Sequence, residues 1–198
     1  MLGGHTLKRG LQTLCRKMKL EPNEAKLFFN LMLPLQYFVN QKLGILNGIE
    51  KFQDYKNASF NDKFKVRNAL FDNLPLIDEF IDENPNDISL KDLAIVSSWK
   101  RFLVGEFYVE RHLKTHTIFI GEDNKVYAVL GLTSSIDEIF PDYLIPQMTA
   151  AVLLPFQDKI ISDGFFAARQ IFVGGNLKKE LQTVYSQAKK KVKIIQTL

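Results

Sequence analysis

Six short segments rich in β-branched and aromatic residues follow one another between residues 107 and 175, and they constrain the fold more than any other feature. Gly, Asp, Asn and Pro residues separate them, as expected for strands joined by turns. We predict strands at 107–112, 115–121, 125–132, 149–155, 159–162 and 165–173. The residues before Trp99 and nearly all residues after Gly175 have helical periodicity. The sequence therefore predicts an α+β fold: a helical N-terminal region followed by an antiparallel β-rich domain with a C-terminal helix.

Polar turn sequences set the boundaries between these strands. Residues 122–125, Glu-Asp-Asn-Lys, predict a hairpin turn. Gln157 with Asp158, and Asp163 with Gly164, predict two further turns that make the second half of the sheet a meander. Residues 192–198 fit either an edge strand or a frayed tail.

The length of 198 residues suits one large domain or two small ones. The change of pattern divides the chain into a helical region, 1–100, and an antiparallel β meander with its C-terminal helix, 101–198. The two parts can also form one integrated domain. Hydrophobic residues make up 46% of the chain and 16 residues are Phe, which predicts a packed core built on Phe side chains.

About five helical segments are predicted in the N-terminal region. Ser59 and Ser89 each precede an Asp by three positions, a pattern that resembles a capping box and marks a helix start. Asn23 is the predicted N-cap of the segment 24–43. That segment is apolar on more than one side and contains Pro34, which predicts a kink. It is either the core helix or a dimer interface.

Residues 1–20 predict a basic amphipathic helix. Its apolar stripe has spacings of four, three and four, and Lys and Arg residues lie mostly off it. The stripe consists of Leu7, Leu11, Leu14 and Met18. Such a helix can lie on a membrane surface, enter the groove of a partner protein, or pack on its own domain with its charges outward.

The net charge of +4 is unevenly distributed. Residues 1–30 carry six basic and two acidic side chains, residues 61–147 carry nine and fifteen, and residues 148–198 carry eight and three. The basic ends can face an anionic partner, contact the acidic middle, or be solvated.

Cysteine usage and hydropathy predict a cytoplasmic protein. Cys15 is the one cysteine, so no internal disulfide forms, as in a reducing compartment. No apolar run approaches the roughly 18 residues of a membrane span. The N-terminus lacks the apolar segment of a secretory signal.

The best candidate catalytic residues are Glu110, His112 and Asp163, which a pocket between the helices and the sheet would have to bring together. His112 and His116 have the spacing of zinc ligands on a helix. Their flanks predict a strand, in which residues four apart are separated by about 13 Å, whereas a turn at Leu113 and Lys114 would bring them together near Glu110. We therefore predict no metal site and no cofactor.

Lysines of the C-terminal segment are the candidate anion-binding residues. Residues 173–176, Val-Gly-Gly-Asn, predict a strand followed by a helix start, where free backbone N–H groups can hold an anion. The candidate cations are Lys178, Lys179, Lys189, Lys190 and Lys191. Clustered cations suit nucleic-acid phosphates, and they equally suit a solvated helix face.

Residues 154–164, which read L-P-F-Q-D-K-I-I-S-D-G, resemble a recurring C-terminal pattern of uncharacterised bacterial proteins. The pattern is LPF-x-x-K-I-I-x-D-G, followed by a strand, a glycine-rich turn and a helix, as in I-F-V-G-G at 171–175. It covers a short C-terminal part of the chain. The resemblance implies a bacterial, cytoplasmic protein and lends no catalytic residue. Asp163 and Gly164 match best, and a tight β-turn explains them as well as a binding role does.

These observations leave three functional hypotheses. The first is a non-enzymatic binding or regulatory module that binds a protein partner or forms a homo-oligomer through the segment 24–43. The second is a hydrolase or transferase with a pocket between the helices and the sheet. The third is a nucleic-acid-associated protein that uses its basic C-terminal helix.

Overall fold

The computed structural model describes residues 18–171 and 173–198. Helices fill the first half of this part of the chain, and strands dominate the second half. The helices are α1 (Pro22–Leu43), α2 (Phe52–Asn57), α3 (Phe60–Asp72), α4 (Pro75–Glu83), α5 (Leu90–Ser98), α6 (Ile136–Ile139) and α7 (Gly175–Lys190), with a 3-10 turn at Trp99–Arg101. The strands are β1 (Leu103–His112), β2 (Thr117–Gly121), β3 (Val126–Leu130), β4 (Gln147–Phe156), β5 (Lys159–Ala168) and β6 (Ile194–Ile195). The predicted α+β class is confirmed.

Local capping explains where the N-terminal helices begin. The Ser59 and Ser89 hydroxyls accept hydrogen bonds from the backbone N–H groups three residues later, over 3.1 and 3.2 Å, as their spacing predicts. α1 begins at Pro22 rather than after Asn23, because the fixed φ of proline suits the first helical position. Gly44 ends α1 in the left-handed conformation, with φ of 61°.

Only the end of the predicted N-terminal helix can be described, because residues 1–17 lie outside the described part. Residues 18–20 are extended rather than helical. The Leu20 N–H donates to the Gly131 carbonyl over 3.0 Å, and the Gly131 N–H donates to the Met18 carbonyl over 2.9 Å. This short parallel bridge ties the entry to α1 to the end of β3.

Five strands close into a barrel. β1 pairs with β2 and β4, β5 pairs with β4 and β3, and the β2–β3 pairing completes the ring. β6 adds to the outer edge of β3, so residues 192–198 include an edge strand. The neighbours are antiparallel except that β3 runs parallel to β5 and β6. The sheet is therefore mixed rather than antiparallel, because β3 and β5 are joined through α6 and β4 instead of a tight turn.

The predicted turn at Asp163 and Gly164 is wrong, because β5 runs through both residues as one strand. The register between β4 and β5 shifts between Ala151 and Leu153, which marks a β-bulge. Gly164 has a φ of 87°, a conformation that glycine adopts without steric cost. Glycine and aspartate at this point bend a strand instead of ending it.

The barrel buries apolar side chains on its inside and on two parts of its outside. The inner cluster includes Phe107, Val109, Phe119, Leu153 and Ile160, joined by Ile136 and Phe140 around α6. The helices α1–α5 cover one outer face and share a cluster with Val152, Leu154, Phe156 and Ile161 of the barrel. α7 covers the outer face of β2 and β3 with Leu181 and Tyr185.

α1 is the central helix of the N-terminal layer. Leu31, Leu35, Phe38 and Val39 are all buried within the chain. Of the two alternatives for this segment, the structure assigns it to the core. Its apolar face is already covered and is not available to a second copy of the chain.

Candidate functional site

The three candidate catalytic residues do not converge. Asp163 on β5 lies level with Val104 of β1, since both strands pair with β4 around Val152. Glu110 is six residues further along β1, which at the usual rise is about 20 Å away. Glu110 is buried and paired with its neighbour Arg111, whose Nη2 lies 2.7 Å from Glu110 Oε1. The predicted pocket holding all three residues is absent from the described structure.

His112 is held by both ring nitrogens at the end of β1. Nε2 lies 2.7 Å from the Phe140 carbonyl oxygen, and Nδ1 lies 2.9 Å from the Thr117 hydroxyl. Because a carbonyl only accepts, Nε2 donates to Phe140, while the Thr117 hydroxyl that contacts Nδ1 also lies 3.7 Å from Met18 Sδ. Neither nitrogen is free to bind a metal or accept a substrate proton. Among the described residues, no group of three His, Cys, Asp or Glu side chains could hold a metal ion.

A different polar pair, Arg67 of α3 and Asp163 of β5, occupies a cleft between the helical layer and the barrel. Arg67 Nε donates to Asp163 Oδ2 over 2.5 Å, and Nη1 donates to Asn68 Oδ1 over 2.8 Å. Asp163 Oδ1 accepts from the Phe165 N–H over 3.2 Å. One carboxylate therefore holds both the helix and the bulge of β5.

Aromatic rings surround this ion pair. The centre of the Arg67 guanidinium lies 5.5 Å from the ring centroids of Phe64 and Phe71 and 5.6 Å from that of Phe165. Phe60 packs on Phe165 with centroids 4.6 Å apart, and Phe64 lies 5.5 Å from Phe165. The rings of α3 meet β5 because positions 60, 64, 67 and 71 lie along one face of a helix.

Several of these side chains face solvent although they are large and apolar. Phe60 is 65% exposed, Phe64 is 39% exposed, and Val104 on β1 is 69% exposed. We call Phe60, Phe64, Val104 and Phe165 the aromatic cleft. Clusters of exposed apolar side chains mark interaction sites more often than isolated ones do.

Two cavities adjoin in the aromatic cleft and share the side chains of Phe60, Phe165 and Phe166. The first has a volume of about 250 Å³ and is also lined by Phe64, Arg67 and Val104. The second, of about 340 Å³, extends beneath the loop after β3 and is lined by Leu132, Ser162 and Asp163.

The charges of the cleft are mostly compensated by groups of the chain itself. Burial raises the pKa of the Asp163 carboxyl, and the bond to the Arg67 guanidinium opposes that rise. The two charges neutralise each other, and Lys63, the other charged side chain of the lining, donates to the Lys56 carbonyl over 2.8 Å. Ser162 Oγ is the exception among its polar groups: it is buried and has no hydrogen-bond partner among the described residues.

The candidate anion-binding lysines lie on the outside of α7 and just beyond it. α7 begins at Gly175, with Gly174 as its N-cap. Lys178, Lys179, Lys189, Lys190 and Lys191 are exposed. Within the described chain, no ion pair joins any of them to an acidic side chain.

Arg67 and the Phe residues of α3 are not among the candidate site residues predicted from the sequence. Their spacing of four, three and four along 60, 64, 67 and 71 is a detectable helical stripe. An amphipathic pattern of this kind predicts, however, that the whole stripe is buried. Only the tertiary structure shows that the neighbouring elements leave Phe60 exposed.

No known protein family, curated protein or solved structure matches this chain. None of the described helices is both long enough and apolar enough to cross a membrane.

Proposed function

We propose that this protein is a non-catalytic binding module that holds an apolar segment of a protein partner in the aromatic cleft. The observation that carries the proposal is the exposure of Phe60 and Phe64 beside two cavities, on a base fixed by the Arg67–Asp163 pair. Aromatic side chains that line a groove are the usual anchors of protein interfaces.

The chemistry of the cleft favours a neutral, apolar occupant. Its one ion pair is internally compensated, and most of its remaining lining is Phe, Val, Leu and Ala. A charged ligand would lose most of its hydration there, and among the lining residues Lys63 of the second cavity is the single charge outside the ion pair that could compensate it.

The size of the two cavities favours side chains over a cofactor. Volumes of 250 and 340 Å³ lie below or at the lower limit of the roughly 300–1,000 Å³ that enclose small-molecule ligands. Two neighbouring cavities that share Phe165 in their linings suit two large side chains of one peptide segment.

Each candidate catalytic residue is already ion-paired or hydrogen-bonded within the chain, which supports a binding module without catalysis. Glu110 is bound to Arg111, His112 to Thr117 and Phe140, and Asp163 to Arg67. General acid–base chemistry requires a group within reach of a substrate proton. The resemblance of residues 154–164 to bacterial proteins and the single cysteine support a bacterial, cytoplasmic setting for this module.

A peptide-display selection against the full chain tests the proposal. We expect enrichment of sequences with two large apolar residues close together. An enriched peptide, labelled with a fluorophore, should bind the wild type and lose about tenfold or more in affinity to Phe60→Ser, as interface anchors do.

Leu90→Ser is the matched control, because Leu90 is 86% exposed and lies outside the cleft. It should change the affinity by less than about twofold, within the range of near-neutral surface changes. Unfolding curves of both variants show whether the fold is retained. Enrichment no better than with scrambled sequences, or equal losses in the two variants, would refute the cleft as the binding site.

A further inference from the structure

A second groove, separate from the aromatic cleft, lies between the C-terminal half of α7, the β2–β3 turn and β6. Its volume is about 690 Å³. Lys125, Lys191 and Lys193 line it, together with the amide side chains of Asn124 and Gln187. We propose that this basic groove binds the phosphate backbone of a single-stranded nucleic acid.

The charge on the α7 and β6 side of the basic groove is uncompensated by acidic side chains of the described chain. Residues 175–198 carry six lysines and one acidic residue, Glu180. Lys191 and Lys193 form no ion pair with an acidic side chain in the described chain, whereas Lys42 and Lys159 elsewhere are each paired. Lys125, in contrast, forms an ion pair with Asp123, whose Oδ2 lies 2.8 Å from the Lys125 Nζ. Unpaired ammonium groups retain their full attraction for an incoming phosphate.

The positive surface continues beyond the groove along α7. A smaller depression beside the groove is lined by Lys179, Lys190 and the polar side chains between them. Lys189 lies in the same last turn of the helix and is exposed. A nucleic-acid strand that extends from the groove along α7 therefore contacts further lysines. A single bound ion would contact only the lysines of the groove.

The shape and lining of the basic groove favour a nucleic acid over a membrane. Its apolar side chains are recessed: Val126 is buried, and Val184, Ala188 and Ile194 are half-buried. Val192 alone protrudes, and one small side chain provides little of the apolar area that interfacial anchoring requires. No aromatic ring lines the groove, so binding depends on phosphates and is indifferent to base sequence.

Fluorescence anisotropy of the full chain with a labelled single-stranded DNA of about 16 nucleotides tests the inference. We expect saturable binding that weakens by about tenfold or more between 50 and 200 mM salt. The double variant Lys191→Glu/Lys193→Glu should weaken binding by about tenfold at 50 mM salt and reduce the slope of log K against log[salt] by about 1.4, since two phosphate contacts are lost.

Lys26→Glu/Lys91→Glu is the matched control, because it changes the net charge equally at two exposed lysines outside the groove. It should alter the affinity by less than about twofold, because neither lysine lines the groove or the depression beside it and exposed charges are screened by salt. Equal losses in the two double variants, or no saturable binding by the wild type, would overturn the inference. Binding to vesicles of phosphatidylcholine and phosphatidylserine without DNA binding would overturn it in favour of a membrane surface.

Discussion

Arg67 Nε lies 2.5 Å from Asp163 Oδ2 and joins two residues that are 96 positions apart in the sequence. The side chains are only 10% and 4% exposed, so water solvates neither charge well and each depends on the other. Their contact sets the distance between α3 and the bulge of β5. The aromatic cleft exists because this distance is fixed.

Loss of Arg67 alone should be strongly destabilising. Arg67→Met leaves the Asp163 carboxylate buried without its partner, and we expect a loss of about 3–5 kcal/mol in the free energy of unfolding near neutral pH. Urea unfolding followed by the fluorescence of Trp99, the single tryptophan, measures it.

The pH dependence and a double variant separate this charge effect from lost packing. Burial raises the pKa of the Asp163 carboxyl, so its protonation favours the native state and the deficit of Arg67→Met should shrink as the pH falls. Arg67→Met/Asp163→Leu removes both charges and should be more stable than Arg67→Met. A double variant that is no more stable would contradict this account.

A side chain at position 164, in the bulge of β5, should lower the free energy of unfolding. Gly164→Ala would place a Cβ at a φ of 87° and 3.3 Å from Leu132 Cδ1, and we expect it to cost about 1–2 kcal/mol. Gly175→Ala is the control, because no atom lies within 4 Å of the added Cβ there and the residue is helical. It should be neutral or stabilising by up to about 1 kcal/mol. Similar costs at the two positions would show that strain at Gly164 is not the cause.

The cap of α3 should affect the aromatic cleft, whereas the cap of α5 should not. Ser59→Ala and Ser89→Ala each remove one hydrogen bond to a helix N-terminus and should each cost about 1 kcal/mol of stability. Ser59 precedes Phe60, so only Ser59→Ala should also weaken the peptide that binds the cleft, by less than Phe60→Ser does. Anisotropy measured beside urea unfolding compares the two variants. Equal effects on peptide affinity would contradict the assignment of the cleft.

His116 should make the fold sensitive to mild acid. Its Nε2 is buried without a hydrogen-bond partner among the described residues, and burial lowers the pKa of its imidazole below the usual value of about 6.5. The unfolded chain therefore binds a proton first as the pH falls, and the native state loses stability between pH 6.5 and the lower folded-state pKa.

The comparison with His116→Gln isolates this contribution, because glutamine does not titrate. The difference in the free energy of unfolding, wild type minus variant, should decrease as the pH falls from 7.5 through 6.5 and below. A difference that stays constant over this interval would show that His116 does not titrate differently in the two states.

Much of the secondary structure could be predicted because its signals are local. The Ser59 and Ser89 caps lie within three residues of the groups they bind, and the hairpin turn at 122–125 lies between strands that pair directly. The parallel pairing of β3 with β5 has no such signal, since the partners are about 30 residues apart and joined through other elements. Asp163 and Gly164 have the composition of a turn, and only the pairing of β5 with β4 on both sides of them reveals a bulge.

The α+β class, the starts of α3 and α5 and the concentration of lysines in residues 175–198 could be predicted from the sequence, because each depends on neighbouring residues or on composition. The tertiary structure decided that Glu110, His112 and Asp163 lie apart, that Arg67 meets Asp163, and that Phe60 is exposed while Phe28 and Phe80 are buried. These outcomes depend on which strands pair and which helix faces are covered. Contacts between residues about 100 positions apart set both, and no local pattern encodes them.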